Sequence, residues 1–332
     1  MKKTKVVCIG EALIDRINNK SREGFKDFLG GAPANVVCAL SKLKIDSAFI
    51  GCLGNDQYGQ KFVEKFKKLN IDINFLQLND NASTRIIKVD RDNSGNRYFS
   101  GFETNLQTVF ADETISKKLI EKDFESLEKL FRETKYLVAG TILLSSEISA
   151  ESIYYVLRVA KNFDVKIVID INWREVFWDY SAFSKDTTNR ERVELIKNFV
   201  QNVDILKLAK EEATIFFDSE NPFEISQQIL NRPDVIITDG SNPIHWYING
   251  IEGINEVFNS SKIEDTTGAG DAFLAGLISQ LVVYDHPLNE LEIRNIIEFA
   301  SICGYITCLG EGAIEQQPDY VKVNEFLGRQ IS

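Results

Sequence analysis

Short apolar runs alternate along this chain with longer stretches in which apolar residues recur every three or four positions. Val6-Val7-Cys8-Ile9, Ser47 to Gly51, Tyr136 to Ala139, Lys166 to Asp170, Ile205 to Leu208 and Val235 to Thr238 have the length and continuity of strands buried on both faces. Helical spacing falls between them. It predicts a helix after Pro33 with Val36, Val37, Leu40 and Leu43 on one side, a second over Gly59 to Leu69 with Phe62, Val63, Phe66 and Leu69 inward, and others over Leu119 to Phe131, Ile153 to Asn162 and Arg190 to Val200. Repeated strand-helix units predict an α/β fold, a doubly wound and mostly parallel sheet with helices on both faces. One stretch breaks the alternation: Arg85 to Arg91, a Ser94-Gly95-Asn96 turn and Arg97-Tyr98-Phe99 read as a hairpin. Together with the stretch after Asp15, it predicts a small β-sheet lid, formed by about residues 11–34 and 84–104 of a single domain spanning 1–332.

Two glycine turns feed helix starts. Gly30-Gly31-Ala32-Pro33-Ala34-Asn35 lets the backbone turn sharply or approach a ligand, with Pro33 where a first helical turn tolerates it. The second lies in DTTGAGDAFLAGL, Asp265 to Leu277, where Gly268-Ala269-Gly270 precedes an apolar helical pattern and Asp271 stands at the junction. Free N–H groups and the positive end of the helix dipole favour an anion there. A carboxylate would partly repel phosphate, so its better task is to take a proton from whatever attacks the phosphate. As an ordinary first-turn acid Asp271 would be worth only about 0.3–1 kcal/mol. The small residues before it, which clear the way for a phosphate, and Asp265 and Thr267 on the entry strand favour the functional reading.

Composition narrows the classes. Apolar residues make up 44% and charged residues 26% of 332 residues, with six prolines, as in a fully folded globular chain. A formal net charge of −11 without a lysine- or arginine-rich block excludes the footprint of a nucleic-acid binder, so an anionic ligand is held by local geometry. Cys8, Cys38, Cys52, Cys303 and Cys308 are scattered and odd in number, reading as reduced core thiols of a cytoplasmic protein with no metal cluster. Met1-Lys2-Lys3 runs directly into the first strand, too short for a signal peptide, and nothing reaches membrane-spanning length. Gly54 to Lys61 nearly spells a P-loop, but its lysine comes one residue late and no Ser or Thr follows.

DTTGAGDAF resembles the C-terminal signature of the ribokinase-like (PfkB) sugar kinases, and GGAPAN at Gly30 to Asn35 resembles their N-terminal signature. The resemblance covers essentially the whole chain, and GGAPAN with the opening GEALIDRI is most similar to fructokinases. It implies a ribokinase-like fold and ATP-dependent conversion of fructose to fructose 6-phosphate. Ribose, 2-keto-3-deoxygluconate or a nucleoside are the alternative acceptors, and a non-catalytic sugar-sensing protein is the alternative class. By resemblance Asp271 is the base that takes the proton of the sugar hydroxyl, Gly268, Ala269 and Gly270 form the anion hole, and Asp15, Gly31 and Asn35, with Gly30 beside them, bind sugar hydroxyls.

Glu212 matches the glutamate of an Asn-x-x-Glu motif serving magnesium, here through water, while Ala209 replaces the asparagine. Thr238-Asp239-Gly240 resembles the start of the nucleotide loop, with Thr238 and Gly240 as nucleotide contacts alongside Gly268 and Gly270; Pro243 stands where glycine is common. Asp265 and Thr267 match positions around a monovalent-cation site, so potassium joins ATP and magnesium as implied. Asn172 and Arg174 follow the strand ending at Asp170 and emerge at the ligand-bearing edge. Similar kinases place an arginine here near phosphate or sugar, and pairing with surface acids is an equal alternative for Arg174; Arg97 in the hairpin stands the same way. His245 and His286 lie outside every motif. The apolar side of the lid, with Ile87 and Val89, calls for cover from the main domain or from a second copy in a homodimer.

Overall fold

The apolar run after Lys5 forms the strand from which the main sheet grows in both directions. The structure is a computed structural model that describes residues 5–18, 25–91, 97–103, 109–178, 188–258 and 263–328. In chain order its strands are β1 (Lys5–Ile9), β2 (Leu13–Asn18), β3 (Phe25–Gly30), β4 (Ser47–Gly54), β5 (Leu76–Asn79), β6 (Ile86–Arg91), β7 (Arg97–Phe102), β8 (Thr134–Ala139), β9 (Lys166–Asp170), β10 (Ile205–Ala209), β11 (Asp234–Asp239), β12 (Asn242–Ile248) and β13 (Ile251–Asn255). A nine-stranded sheet has the order β13-β12-β11-β10-β9-β8-β1-β4-β5. From β5 to β11 every neighbouring pair is parallel.

Period-two alternation distributes the strands' side chains between two cores. Val6 and Cys8 of β1, Phe49 of β4 and Tyr136 and Val138 of β8 belong to one, with the helices Ala32–Lys42, Ala269–Leu281 and Glu290–Thr307. Val7 and Ile9, Ala48 and Ile50, and Leu137 and Ala139 belong to the other, with the helix Glu147–Lys161. Burial on both faces is why these strands read as continuous apolar runs. All five cysteines are unpaired and buried in these layers. Among the described residues no helix is long and apolar enough to cross a membrane.

The winding sense reverses at β1, which has β4 on one side and β8 on the other. A crevice therefore opens at the carboxyl ends of β1 and β8, the usual ligand position in an open α/β sheet. A four-stranded sheet in the order β3-β2-β6-β7 stands beside that crevice. Its middle pair, β2 and β6, is parallel, and each middle strand carries an antiparallel outer partner. Ile87 is buried by the chain's own Leu13, Ile142 and Phe177. The side chain of Val89 and the Ser94-Gly95-Asn96 turn lie outside the described residues.

Charged contacts fasten the small sheet, Lys26 of β3 with Glu311 at 2.8 Å among them. Arg16 of β2 donates to both carboxylate oxygens of Asp27 on β3, at 2.7 and 2.8 Å, and also pairs with Glu103. Tyr58, from the helix Gln57–Lys68 of the main body, donates to the same Asp27 at 2.6 Å. At the root of β6 the side chain of Arg85 is fully buried, 2.9 Å from Asp112 and 2.8 Å from Glu113. The rings of Phe110, Phe177 and Phe102 surround its guanidinium at 4.1, 5.0 and 5.3 Å.

The structure departs from the sequence expectations in three places. The edge beyond β11 is an antiparallel hairpin, β12 and β13. Its turn is Asn249-Gly250, both with positive φ as a type I′ connection requires. The stretch expected as one helix over Leu119 to Phe131 is two, Lys117–Lys122 and Phe124–Glu133, because Asp123 caps the second by accepting from the Ser126 N–H. The helix expected from Ile153 begins earlier, at Glu147.

Candidate active site

Two helix starts meet at the crevice. The Ala32–Lys42 helix begins after Gly31, whose φ of 98° suits glycine and where a Cβ would lie 2.6 Å from the Glu11 carbonyl oxygen. The Ala269–Leu281 helix begins after Gly268, with φ 78° and room for no Cβ against Ala313. The two helices pack on each other and present Asn35 and Asp271 side by side, the Asn35 Nδ2 donating to Asp271 Oδ2 at 2.8 Å. The amide oxygen, Asn35 Oδ1, is buried and has no partner among the described residues. Such an acceptor costs about 1–3 kcal/mol until a donor arrives, so it is poised for a ligand hydroxyl.

These groups stand in a cleft of about 700 Å³. Asp15, Gly31, Asn35, Asn172, Arg174, Glu212, Thr238, Asp265, Thr267, Gly268, Gly270 and Asp271 all line it. Gly30 pairs with Leu13 across β2 and β3, and a Cβ there would collide with the Asp15 carboxylate. Ala269 is not part of the lining; its N–H turns back to the Thr266 carbonyl at 3.2 Å. Gly240, with φ 55°, forms the turn after β11 outside the lining. The Arg97 side chain falls outside the described residues.

Burial and charge set the ionisation of this site. The Asp271 carboxylate opens to the cleft with protein on its other sides, and burial raises its pKa to about 6. The Asn35 hydrogen bond, Lys207 and Arg174 pull it down, while Asp170 pushes it up. A carboxylate poised near neutrality is suited to accepting a proton. Glu11, at the end of β1, accepts from the Ala32 N–H at 2.9 Å and caps that helix from another strand. Burial drives it further, to about 8.

Glu212 has both oxygens engaged, accepting from the Trp173 N–H at 2.6 Å and from the Ala209 N–H at 2.7 Å. It thereby ties the loop after β9 to the start of the Lys210–Phe217 helix, and burial followed by the nearby Asp170 charge raises its pKa. Asn172 adopts the left-handed region, φ 42°, which redirects the chain after β9 so that Asn172 and Arg174 both reach the cleft. Arg174 is exposed at the rim, has no acid partner among the described residues, and lies within the field of Asp271. Asp265 accepts from the Thr267 hydroxyl at 2.8 Å, from the Thr267 N–H at 3.1 Å and from the Gly312 N–H at 3.2 Å, holding the turn ahead of Gly268.

Four charged cleft groups were not among the sequence-derived candidates: Glu11, Asp170, Lys207 and Glu264. Asp170 and Lys207 face each other across β9 and β10, with Lys207 Nζ 2.8 Å from Asp170 Oδ2. The available signal was one lysine inside the otherwise apolar run Ile205 to Leu208, opposite a strand ending in aspartate.

The arrangement can bind a polyhydroxylated acceptor between Asp15, Asn35 and Asp271 and hold an anion against Gly268 and Gly270. Comparison with known proteins points the same way. The family model described as pfkB family carbohydrate kinase matches residues 3–319. A probable fructokinase-7 of Arabidopsis thaliana is 29% identical, over 98% of this chain and 92% of its own length. A fructokinase of Vibrio alginolyticus is 28% identical, over 98% and 99%. Among solved structures, a fructokinase double mutant of Vibrio cholerae O395, in a fructose, ADP and potassium ion bound form, superposes with a TM-score of 0.83 at 26% identity, covering 98% of this chain and 99% of that one.

Proposed function

The chain belongs to the pfkB family of carbohydrate kinases, and from that membership we propose that it is an ATP-dependent fructokinase producing fructose 6-phosphate, with Asp271 as its general base. The observation that carries the residue assignment is the contact of Asp271 with Asn35 at the junction of two helix starts. The sugar's 6-hydroxyl donates to Asp271, and its oxygen attacks the γ-phosphorus in line as the proton passes to the carboxylate. Amides at the start of the Ala269–Leu281 helix stabilise the charge that develops on the phosphoryl oxygens. Asp15 and the unpartnered Asn35 Oδ1 receive the remaining sugar hydroxyls. Thr238 bounds the nucleotide end of the cleft.

Among the described residues no group of three or more His, Cys, Asp or Glu side chains forms a metal cage. That suits magnesium, which keeps its waters and binds through one or two carboxylates and the substrate's phosphates. Asp170 Oδ1, buried without a partner, and the Glu212 carboxylate would receive its water shell. Held there, magnesium would supply positive charge to offset that of the nucleotide phosphates. Asp265 brings a buried carboxylate to the turn before the anion hole, the charge that a potassium ion there would need.

The small sheet is proposed as a lid, supported by Leu13, Asp15 and Ile87 reaching the cleft from β2 and β6. Its outer strand β3, with Phe25 exposed, supports a homodimer contact there, checked by sedimentation of wild type and Phe25→Glu. Five unpaired buried thiols support a cytoplasmic setting.

A panel of fructose, ribose, 2-keto-3-deoxygluconate and nucleosides with ATP and magnesium tests the function. The highest kcat/KM is expected for fructose. Preference for a nucleoside, or sugar binding without phosphorylation, would overturn the assignment.

A further inference from the structure

Leu206 and Leu208 of β10 join one apolar core, and alternation places Ile205, Lys207 and Ala209 on the opposite face, which carries the Ala269–Leu281 helix. Lys207 is thus a lysine in the middle of a buried strand, 6% exposed, and it still lines the cleft. Its ammonium sits against the Gly-Ala-Gly turn: a Cβ at position 270 would come within 3.0 Å of Lys207 Nζ. Ala209, next along the same face, offers no polar side chain. Arg174, the other cation lining the cleft among the described residues, stands exposed at its rim.

An ammonium serving only to neutralise Asp170 would be an expensive device, since a buried ion pair gains little over a well-packed apolar pair. The pair is also not closed. Asp170 Oδ2 takes one of the three ammonium hydrogens, and Asp170 Oδ1 has no partner among the described residues. Building on the fructokinase reading, we infer that Lys207 is a catalytic residue whose ammonium donates to a non-bridging oxygen of the γ-phosphoryl group during transfer. The fructose oxygen bonds to the γ-phosphorus while its proton passes to Asp271. The bond from the γ-phosphorus to the bridging oxygen breaks, and its electron pair leaves on ADP. Lys207 stays protonated throughout, held so by Asp170, and contributes charge without exchanging a proton. The strand fixes it in place, so no reorganisation is needed as charge develops.

The test is Lys207→Met, assayed for turnover and for binding of fructose, of ADP, and of ADP with fluoroaluminate and fructose as a transition-state mimic. Turnover and affinity for the mimic are expected to fall about 10²- to 10³-fold, the usual loss for one preorganised donor, with fructose and ADP affinities within about threefold of wild type. Turnover within about threefold of wild type, or equal losses in all three affinities, would overturn the inference. Because Lys207→Met strands the buried Asp170 charge, the same comparison is made between Asp170→Asn and Asp170→Asn/Lys207→Met, where folding does not depend on the pair. An additional loss of about 10²-fold or more in the double variant supports the catalytic role, and equal turnover in the two removes it. Wild-type protein that phosphorylates fructose while Lys207→Met is unimpaired defeats the inference alone; wild-type protein that phosphorylates no sugar defeats the kinase reading and the inference with it.

Discussion

At the Gly268–Asp271 end of the cleft, Asn35 and Asp271 stand in the first turns of two buried helices and pair with each other, and Asp170 and Lys207 pair across two buried strands. At the opposite end the wall is a four-stranded sheet tied to the body by the Arg16-Asp27-Tyr58 contacts, the Lys26–Glu311 pair, the Arg85 cage, a small apolar cluster and Ile14 in the main core. Both regions carry buried charge, but they use it differently. In the first, charge perturbs the ionisation of groups facing the ligand; in the second, it fastens one sheet to another. Under the proposed function, chemistry falls to residues seated on the buried sheet and its helices, and part of the acceptor's contacts to the small sheet.

The largest expected effect breaks the first region alone. Asp271→Asn keeps the Asn35 neighbour and the shape of the turn and removes the base, so kcat falls about 10²- to 10⁴-fold with the thermal midpoint and fructose affinity nearly unchanged. A steady-state assay beside a thermal melt checks this. Next in size is the converse experiment. Arg85→Met leaves Asp112 buried without its cation and costs about 3–5 kcal/mol of stability, read by denaturant unfolding, because stranding one partner of a buried pair is far worse than losing a surface pair.

A pH profile distinguishes the regions by a smaller factor. With its pKa near 6, Asp271 is the ionised base above that value, so kcat/KM falls about tenfold per unit of pH below it and is flat above. The same shift has the opposite consequence for folding. The unfolded carboxyl, with an ordinary value of 3.8, ionises before the native one, so this group's contribution to stability is complete below 3.8 and is lost as pH rises through about 6. Asn35→Ala removes a contact that lowers the Asp271 pKa and moves the activity limb to higher pH. The smallest effect belongs to Arg16→Ala. It loosens the sheet at its partly exposed tie and raises the fructose KM about two- to fivefold, in line with about 0.2–1 kcal/mol for such a pair, while kcat holds.

The parallel part of the main sheet was legible because strands buried on both faces leave uninterrupted apolar runs, as β1, β8 and β9 do. The β12–β13 edge was not. Its buried residues Ile244, Trp246 and Ile248 alternate with more exposed ones and leave no uninterrupted apolar run, although Asn249-Gly250 between Ile248 and Ile251 is a hairpin signal in its own right. In the site, the two glycine turns announced themselves because backbone conformation constrains residue type locally. Glu11, Asp170 and Lys207 did not, since each acquires its role from a neighbour distant in sequence: Ala32 for Glu11, and one another for Asp170 and Lys207. The break at Asp123 follows the same rule in miniature, because a cap outweighs a continuous apolar spacing once it has a free N–H to accept from.

The buried cysteines turn the molecule into its own opening gauge. Burial holds the Cys38 thiol at about 12 and the Cys52 and Cys308 thiols at about 11, and raises Cys8 and Cys303 well above the ordinary value. Burial and a raised pKa together disfavour the nucleophilic thiolate in the folded protein. Thiol modification therefore waits for local or global opening and times it. Cys8 lies in β1, Cys38 in a helix against it, Cys303 in a helix packed on the Ala269–Leu281 helix, and Cys52 in β4, so their order of labelling would trace how the layers around the main sheet come apart.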